Sequence, residues 1–381
     1  MKWEKVKLGE LYEVHNGLSK AGKFFGEGYP FLTFSTVFNN YFIPKQITDL
    51  VQSTEKEQES YSIRRGDVFV TRTSETSDEL GMSCVALKDY PMATYNGFTK
   101  RMRPITNRVF PEYIGYYMRL PSFRGEFRAF STMTTRASLR NEDLLGLEVK
   151  LPSIEIQKQI AGILSAYDDL IENNQKQIKL LEEAAQRLYK EWFVDLRFPG
   201  HENTKIVDGV PEGWRRGLLK ELISVNYGKD HKKVPDDGNI PVYGSGGLMR
   251  KCNKSLFSGE AVLIPRKGSL NNIMYVDETF WTVDTMFYAT MKQPHTAVFV
   301  YFFVKAFDMY SMNIGAAVPS MTTKILDAMD VVIPDKETLE KFDKYAKTYF
   351  NKIKTMQGQN ERLKTARNLL LAKLMSGEVE V

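Results

Sequence analysis

The stretch from Leu151 to Pro199 constrains the fold most, because its apolar residues recur at alternating intervals of four and three. Nine of the ten seam positions are apolar, and the residues between them are mostly Gln, Glu, Lys and Asp. So narrow an apolar stripe is typical of a helix that packs against one partner helix in a coiled coil. The seam positions are Ile160, Leu164, Tyr167, Ile171, Asn174, Ile178, Leu181, Ala185, Leu188 and Trp192.

A second stretch with the same spacing lies 182 residues further on, and eight of its ten seam positions are apolar. Ser153 and Asp335 each follow a proline and are the predicted N-caps of the two helices. Gly377 is the predicted terminator of the second helix. The second seam consists of Phe342, Ala346, Tyr349, Ile353, Met356, Asn360, Leu363, Arg367, Leu370 and Leu374.

We expect the two helices to pair antiparallel, with facing residue numbers that sum to about 534. A parallel pair would place Asn174 and Asn360 against apolar side chains, at a cost of roughly 1 to 3 kcal/mol for each buried amide. The alternative is two unrelated core helices. The expected antiparallel contacts are Asn174 with Asn360, Ala185 with Tyr349, Leu188 with Ala346, and Arg367 with Tyr167.

The rest of the chain also repeats. At an offset of 211, Trp3, Glu10, Leu11, Val14, Gly17 and Pro30 correspond to Trp214, Glu221, Leu222, Val225, Gly228 and Pro241. Leu147, Val149, Leu151 and Pro152 correspond to Met329, Val331, Ile333 and Pro334. One unit, a globular domain followed by a long helix, therefore occurs twice.

The predicted fold class is α+β, with two globular α/β domains separated by two long antiparallel helices and a pseudo-two-fold internal repeat. The predicted divisions are a first domain at 1–150, a helix at 151–198, a crossover and second domain at 199–333, and a helix at 334–381. Within the first domain, Gly66 is predicted to turn into a strand, and a helix beginning at Pro111 is predicted to break at Pro121. A helix of 38 residues would be on the order of 57 Å long. The domains would then face DNA sites roughly 34 to 36 Å apart.

Composition excludes several classes of protein. The net charge is only +5, and the two cysteines, Cys84 and Cys252, lie far apart in sequence. This usage argues for a reducing cytoplasm and against a disulfide framework or a zinc site. The longest apolar run, Ala297 to Val304, is too short to span a bilayer. We therefore expect a cytoplasmic protein without a membrane partner.

Positive charge is concentrated in two segments. Residues 100–140 contain nine Lys or Arg and two acidic residues, and residues 215–272 contain eleven and five. Basic residues among Tyr, Phe, Ser, Thr and Asn suit nucleic-acid binding, although ordinary solvated faces are an equal alternative. The candidate DNA-binding residues are Arg72, Thr73, Lys100, Arg101, Arg103, Arg136, Lys229, Lys232, Lys233, Ser245, Lys254, Arg266, Lys267, Ser269 and Asn271.

Two short segments point to DNA contacts more specifically than charge alone does. Residues 264–272 combine a glycine turn with two cations and several small polar side chains, which suits a loop that contacts phosphate and base edges. Residues 71–74 occupy a comparable place in the first half. For any one of these residues, a structural turn is an equally good interpretation.

Catalytic and metal-binding residues are not predicted anywhere. The chain has no Pro-Pro dipeptide, which excludes the Asn/Asp-Pro-Pro-aromatic motif of amino-methyltransferases, and it has neither a Walker A loop nor HExxH. The glycines of residues 241–247 lack the spacing of a nucleotide loop. These features favour a recognition protein over an enzyme.

The chain resembles the specificity subunit of type I restriction-modification systems. The motifs that carry the resemblance span the chain and are Leu151–Pro152 with Gln157–Ala161, Leu181–Glu182, Lys190–Asp195, Phe198–Glu202, Pro211–Trp214 and Leu370–Glu378. The second helix departs from the first, with Leu339-Glu340-Lys341 in place of Gln157-Lys158-Gln159. This departure predicts unequal docking of the subunits that bind the two helices.

The resemblance implies two target recognition domains that read a split, asymmetric double-stranded DNA sequence through the major groove. It also implies that the helices dock two modification subunits, which carry S-adenosylmethionine and methylate adenine. Restriction subunits would add ATP- and Mg-dependent translocation and cleavage, and this chain itself would hold no cofactor. The alternatives from other classes are a self-contained DNA methyltransferase and a structural coiled-coil adaptor.

Overall fold

The computed structural model describes residues 3–74, 79–128, 137–312 and 320–381. These residues form two compact units, of which unit 1 is Met1–Asn173 with Asn360–Val381 and unit 2 is Asn174–Gln359. Each unit combines helices with strands, as the predicted α+β class requires. The unit boundaries cut both long helices, so they do not test the predicted divisions near residues 150, 198 and 333.

Unit 1 contains a four-stranded sheet in the order β2-β9-β5-β7, a three-stranded sheet in the order β4-β3-β8, and the pairs β1-β11 and β10-β6. Its strands are β1 (Glu4–Lys7), β2 (Tyr12–Asn16), β3 (Phe25–Leu32), β4 (Leu50–Val51), β5 (Val68–Thr71), β6 (Thr73–Ser74), β7 (Ser83–Val85), β8 (Thr94–Tyr95), β9 (Thr99–Pro104), β10 (Ala137–Ser138) and β11 (Glu148–Leu151). Its short helices are α1 (Leu8–Leu11), α2 (Phe34–Asn39), α3 (Glu55–Ser60), α4 (Pro111–Tyr117), α5 (Pro121–Arg128) and α6 (Asn141–Gly146). The predicted break at Pro121 and the predicted strand after Gly66 are confirmed.

Unit 2 has a six-stranded sheet in the order β15-β20-β18-β19-β16-β17 and the pairs β14-β21 and β12-β13. Its strands are β12 (Ile206–Val207), β13 (Val210–Pro211), β14 (Arg215–Leu218), β15 (Ile223–Tyr227), β16 (Ile240–Gly244), β17 (Gly247–Cys252), β18 (Phe257–Pro265), β19 (Met274–Thr282), β20 (Met286–Met291) and β21 (Asp330–Ile333). Its short helices are α8 (Ala297–Lys305) and α9 (Thr323–Asp327). Seven of the nine α8 residues are buried, because this apolar helix supplies the core beneath the sheet.

Two long helices contribute residues to both units. They are α7 (Ile154–Tyr189), which continues as a π-helical turn over Lys190–Val194, and α10 (Lys336–Ser376). The predicted caps are confirmed, since Ile156 N lies 3.5 Å from Ser153 Oγ and Thr338 N lies 2.9 Å from Asp335 Oδ1. Gly377, which has φ +77°, follows the last residue of α10.

All the predicted seam positions on α7 and α10 are buried or half-buried. In unit 1, Ile160 and Leu164 share one core cluster with Leu371 and Leu374, whereas the later Asp168 of α7 pairs with the earlier Arg367 of α10. This reversed order is that of antiparallel helices. The ion pair of Arg367 is with Asp168, the neighbour of the expected facing residue Tyr167, and the packing of Arg367 against Tyr167 stays a prediction.

In unit 2, the end of α7 lies beside the beginning of α10. The rings of Tyr189 and Trp192 have centroids 6.2 and 5.8 Å from that of Phe342. Ala185 and Ala346 belong to the same core cluster, and Leu188 and Tyr349 pack against it. The predicted meeting of Asn174 with Asn360 stays a prediction.

The predicted repeat is confirmed at the level of strand register. Glu4 pairs with Leu151 between β1 and β11, and Arg215 pairs with Ile333 between β14 and β21. Both pairs are antiparallel, and their residues differ by the predicted offsets of 211 and 182. Two sequence repeats therefore specify the same backbone hydrogen bonds in the two units.

Steric crowding explains why glycine recurs at the matched positions Gly17 and Gly228. A Cβ on Gly17 would lie 2.0 Å from the carbonyl oxygen of Asn96, and a Cβ on Gly228 would lie 2.0 Å from that of Val283. Both distances are far inside van der Waals contact, so each unit requires glycine where β2 or β15 ends.

Candidate nucleic-acid interface

Four of the candidate residues of unit 2, Lys229, Ser245, Arg266 and Lys267, lie shortly after the ends of β15, β16 and β18. The backbone of Arg266, directly after β18, is held by two hydrogen bonds, from Arg266 N to Thr285 O at 2.8 Å and from Met321 N to Arg266 O at 2.9 Å. The backbones of Lys267 and Ser320 form an isolated antiparallel β-bridge. The backbone of Arg266 is therefore held at both its N–H and its carbonyl, independently of its side chain.

The side chain of Arg266 lies over an exposed aromatic ring. Its guanidinium carbon is 5.5 Å from the ring centroid of Tyr227, the last residue of β15. The Tyr227 side chain is 53% exposed. Its ring meets the buried ring of Phe287 edge-on, with centroids 5.0 Å apart. The Arg266 guanidinium and the Tyr227 ring thus form a cation–π pair. Phe287 supports the ring from the core, and the ring remains exposed to solvent.

The loop after Arg266 packs against the turn that follows β16. Gly268 has φ +83°, and a Cβ there would lie 2.6 Å from Ser245 Oγ. Asn272 donates a hydrogen bond of 2.9 Å to Ser245 O, and the Tyr310 hydroxyl donates one of 3.0 Å to Gly268 O. Ser245 therefore lies beside the loop, and hydrogen bonds hold the loop in place.

Asn271 has a structural role that the sequence did not indicate. Its amide nitrogen donates to Asp308 Oδ1 at 2.9 Å, and its amide oxygen accepts from Met309 N at 2.8 Å. Each end of the amide makes one hydrogen bond, which leaves one N–H and one oxygen lone pair, and Asn271 is exposed, so its contact with DNA stays a prediction. Ser269, two residues earlier, is exposed.

Five predicted lysines of unit 2 remain open to a ligand. They are exposed and form no ion pair with any described residue: Lys229, Lys232, Lys233, Lys254 and Lys267. Lys229 N donates to Thr282 O at 2.9 Å, which places it beside the end of β19, and Lys267 follows Arg266. An exposed cation such as Lys267, next to an arginine that lies over an aromatic ring, can neutralise a phosphate.

Unit 1 carries an arginine at the matching backbone position. Arg72 directly follows β5, its N–H donates to Phe98 O at 3.0 Å, and its carbonyl accepts from Leu139 N at 2.9 Å. Strand β10 pairs Ser138 with Thr73, as Ser320 pairs with Lys267 in unit 2. The predicted correspondence between residues 71–74 and 264–272 is therefore confirmed for the backbone. The side chain of Thr73 and all of Arg136 lie outside the described residues.

Two candidates in unit 1 are corrected by burial, and a third, the half-buried Arg103, is held in an ion pair. Lys100 is 5% exposed and donates to Asn141 Oδ1, and Arg101 is 3% exposed and donates to Ser62 O at 2.8 Å. Arg103 forms a 2.7 Å ion pair with the fully buried Asp67. Strand β9 lies between β2 and β5, so its cations are bonded within the protein and do not face a solvent-borne phosphate.

The pKa directions agree with this burial. Burial, together with the nearby charge of Arg72, lowers the pKa of Lys100. Burial is also the largest cause of the lowered pKa of Arg101, although the nearby Tyr95 opposes it. Removal from water disfavours the charged form of each side chain, which is the opposite of what an exposed phosphate-binding cation experiences.

Tyr227 and Tyr310 are site residues that the sequence did not indicate. Tyr227 immediately precedes Gly228, one of the anchors of the repeat, but its counterpart at the offset of 211 is Asn16, so the repeat gave no signal for the ring. Tyr310 had no signal either, because its hydroxyl meets a loop 42 residues away.

The described residues contain no group of three or more His, Cys, Asp or Glu side chains that could hold a metal ion. Both cysteines are buried, and burial raises the pKa of the Cys84 thiol to about 12. Within the described ranges, no helix is long and apolar enough to cross a membrane.

Two repeated units with matched strand ends define the class of protein. The sequence model of the type I restriction modification DNA specificity domain matches residues 1–183 and 211–365, which are the two copies of the repeat. The chain belongs to that family.

Individual relatives match over nearly their whole length. The chain is 25% identical to the type I restriction enzyme MjaIX specificity subunit of Methanocaldococcus jannaschii, with 100% of this chain and 94% of the relative covered. It is 22% identical to the HindI specificity subunit of Haemophilus influenzae, with 99% of each covered.

A solved structure shares the fold. The S subunit of the type I restriction-modification system from M. genitalium matches with a TM-score of 0.58 at 17% identity. The match covers 98% of this chain and 96% of that one.

Proposed function

We propose that this chain is the non-catalytic DNA-recognition subunit of a type I restriction-modification complex. Residues 1–150 and 199–333 would each read one half of a split, asymmetric target in double-stranded DNA. The observation that carries the proposal is the pair of arginines, Arg72 and Arg266, that stand after matched strands in the two units. Family membership supports a role in DNA specificity.

We further propose that α7 and α10 form one antiparallel coiled coil and that two modification subunits dock on it. The reversed order of contacts in unit 1 and the shielding of the predicted seam residues support the coiled coil. The exposed apolar residues Leu170 and Leu180, outside that seam, support docking, since they are 52% and 63% exposed.

The chemistry would reside in the partner subunits. The modification subunits would bring S-adenosylmethionine and methylate adenine, and restriction subunits would bring ATP and Mg for translocation and cleavage. This chain would contribute phosphate contacts and base contacts and would hold no cofactor. Its working compartment would be the cytoplasm.

The test compares the isolated chain with the chain bound to its modification subunit. We expect the complex to bind and methylate a specific bipartite DNA sequence, with affinity that falls steeply as salt rises. We expect the isolated chain to transfer no methyl group from S-adenosylmethionine. Turnover by the isolated chain would identify a self-contained methyltransferase instead, and a complex that ignores DNA would identify a structural adaptor.

A further inference from the structure

We propose that Arg266 reads the edge of a guanine in the major groove and that Tyr227 is the residue that positions its guanidinium. The inference rests on the proposed function and assigns two roles within unit 2. It names the base that one side chain recognises, which membership of the family does not specify.

The backbone of Arg266 is fixed by hydrogen bonds. Its N–H and its carbonyl are both hydrogen-bonded, to Thr285 O and from Met321 N, and the next N–H, that of Lys267, also donates to Thr285 O at 3.2 Å. A side chain that starts from such an anchored residue loses less conformational freedom when it binds. Preorganisation of this kind favours residues that specify a base over residues that only contribute charge.

The Tyr227 ring lies beneath the guanidinium. A guanidinium stacked on an aromatic face lies flat, and its N–H groups then point outward along its edge. The face of Tyr227 is supplied by a residue that is itself held by Phe287 and by the pairing of β15 with β20. With the guanidinium carbon 5.5 Å from the ring centroid, the ring limits the orientations in which Arg266 presents its donors.

The guanidinium of Arg266 keeps donors that a ligand could use. Among the described residues, Arg266 forms no ion pair, and its guanidinium makes one long hydrogen bond, of 3.5 Å, to Asp284 O. Two parallel N–H groups match the O6 and N7 acceptors that guanine presents in the major groove. A phosphate would accept the same donors, but it would not require the fork to be held in one plane.

Unit 1 supplies the matched contrast. Strand register places Asn16 where unit 2 has Tyr227, since Asn16 pairs with Lys100 as Tyr227 pairs with Phe287. Arg72 therefore has the backbone position of Arg266 without the ring of Tyr227. We expect Arg72 to contribute charge to the first half-site and Arg266 to select a base in the second.

The experiment uses the full chain in complex with its modification subunit. The methylated sequence is first mapped in cells, and methylation rates are then measured on duplexes in which each base pair of the second half-site is varied in turn. Arg266→Ala should reduce discrimination at one G·C pair by about tenfold or more while the other pairs keep theirs. Arg266→Lys should do the same, because it keeps the charge but loses the planar fork.

The ring is tested with a matched pair of variants. Tyr227→Phe retains the aromatic face and should leave discrimination at that pair unchanged, whereas Tyr227→Ala should reduce it. Arg72→Ala is the control in unit 1. It should weaken methylation of all second-half-site duplexes equally, without changing the preference at any pair of that half-site.

Contrary results separate the alternatives. If Arg266→Ala weakens all duplexes equally and reduces the slope of the salt dependence by about one, Arg266 contacts a phosphate and the inference is wrong. Equal discrimination by Tyr227→Ala and the unaltered chain would remove the positioning role. An unaltered complex with no sequence preference would overturn the proposed function and this inference together.

Discussion

Strand β9 of unit 1 and strand β20 of unit 2 have the same place in their sheets but opposite chemistry. Register matches Lys100 with Phe287 and Arg101 with Tyr288, since Val70 pairs with Lys100 as Ile264 pairs with Phe287. One strand therefore buries cations where the other places aromatic rings. The repeated backbone hydrogen bonds tolerate both solutions, although the buried Arg101 Nε has no acceptor among the described residues.

The buried ion pair makes the contrast sharper. Asp67 and Arg103 of unit 1 correspond to Ala261 and Thr290 of unit 2, which are themselves paired across β18 and β20. Unit 2 thus carries the uncharged version of the same contact. Several candidate cations of unit 1 are therefore buried or bonded within the protein, whereas the candidate lysines of unit 2 are exposed at its surface.

The largest expected effect comes from breaking the Asp67–Arg103 pair. Asp67→Ala leaves a cation in the sheet without its carboxylate, so we expect the stability of unit 1 to fall by about 3 to 5 kcal/mol. The double variant Asp67→Ala with Arg103→Thr copies unit 2 and should recover much of the loss. Urea unfolding, together with hydrogen exchange of the β9 amides, measures both. A double variant as unstable as the single one would contradict this account.

The second expected effect is equal in the two units. Gly17→Ala and Gly228→Ala each drive a methyl group into a backbone carbonyl, so each should destabilise its unit by about 1 to 3 kcal/mol or more. Gly22→Ala and Gly246→Ala are matched controls, because nothing lies within 4 Å of their added Cβ atoms. Thermal unfolding compares the four variants. A tolerated Gly17→Ala beside a damaging Gly228→Ala would break the equivalence of the two strand ends.

The third effect concerns the caps of the long helices. Burial raises the pKa of Asp335, but hydrogen bonds from Thr338 and Trp214 outweigh it and hold that pKa below its usual value. Asp335→Ala should therefore cost about 0.5 to 2 kcal/mol at neutral pH. Ser153→Ala in unit 1 should cost a similar amount or less.

The pH dependence distinguishes the two caps. Because the folded-state pKa of Asp335 is lowered, its charged form stabilises the fold above the pKa of the unfolded chain. That contribution disappears as the pH falls through the folded-state pKa. The stability difference between the natural chain and Asp335→Asn should shrink in acid, whereas that of Ser153→Ala should not change with pH. Denaturant unfolding between pH 7 and about pH 3 measures both differences.

The smallest effect is expected from a single exposed cation. Lys267→Ala should reduce the salt slope of DNA binding by about one and leave the sequence preference unchanged, as loss of one phosphate contact requires. Lys100→Met in unit 1 should leave the salt slope as it is, because that lysine is bonded to Asn141 inside the protein. A larger change in salt slope for Lys100→Met than for Lys267→Ala would reverse the assignment of the two lysines.

The sequence predicts those features of the fold that recur or that depend on neighbouring residues. The repeat, the two long helices, the caps at Ser153 and Asp335 and the break at Pro121 all follow from local spacing. The equivalence of residues 71–74 with 264–272 was also accessible from the sequence. Each depends on backbone geometry that a few adjacent residues specify.

Side-chain roles in the candidate site were less accessible. Thr99–Pro104 contains three cations and resembles an exposed basic strand, but its partners Ser62 and Asp67 lie about 36 to 41 residues away. Asn271 likewise bonds to Asp308, 37 residues further on. Such partners depend on tertiary packing, so local composition overstated the DNA contacts of unit 1.

The parallel pairing of β3 with β8 recurs as that of β16 with β19, and between these matched strands the halves differ. Unit 1 inserts α2, β4 and α3 there, whereas unit 2 inserts the β17 hairpin. Because both inserts leave from and return to the same backbone frame, we expect that a segment from a relative could be exchanged at these points without redesign of the framework. New target preferences would then be reachable by recombination of whole segments, in steps larger than point mutation allows.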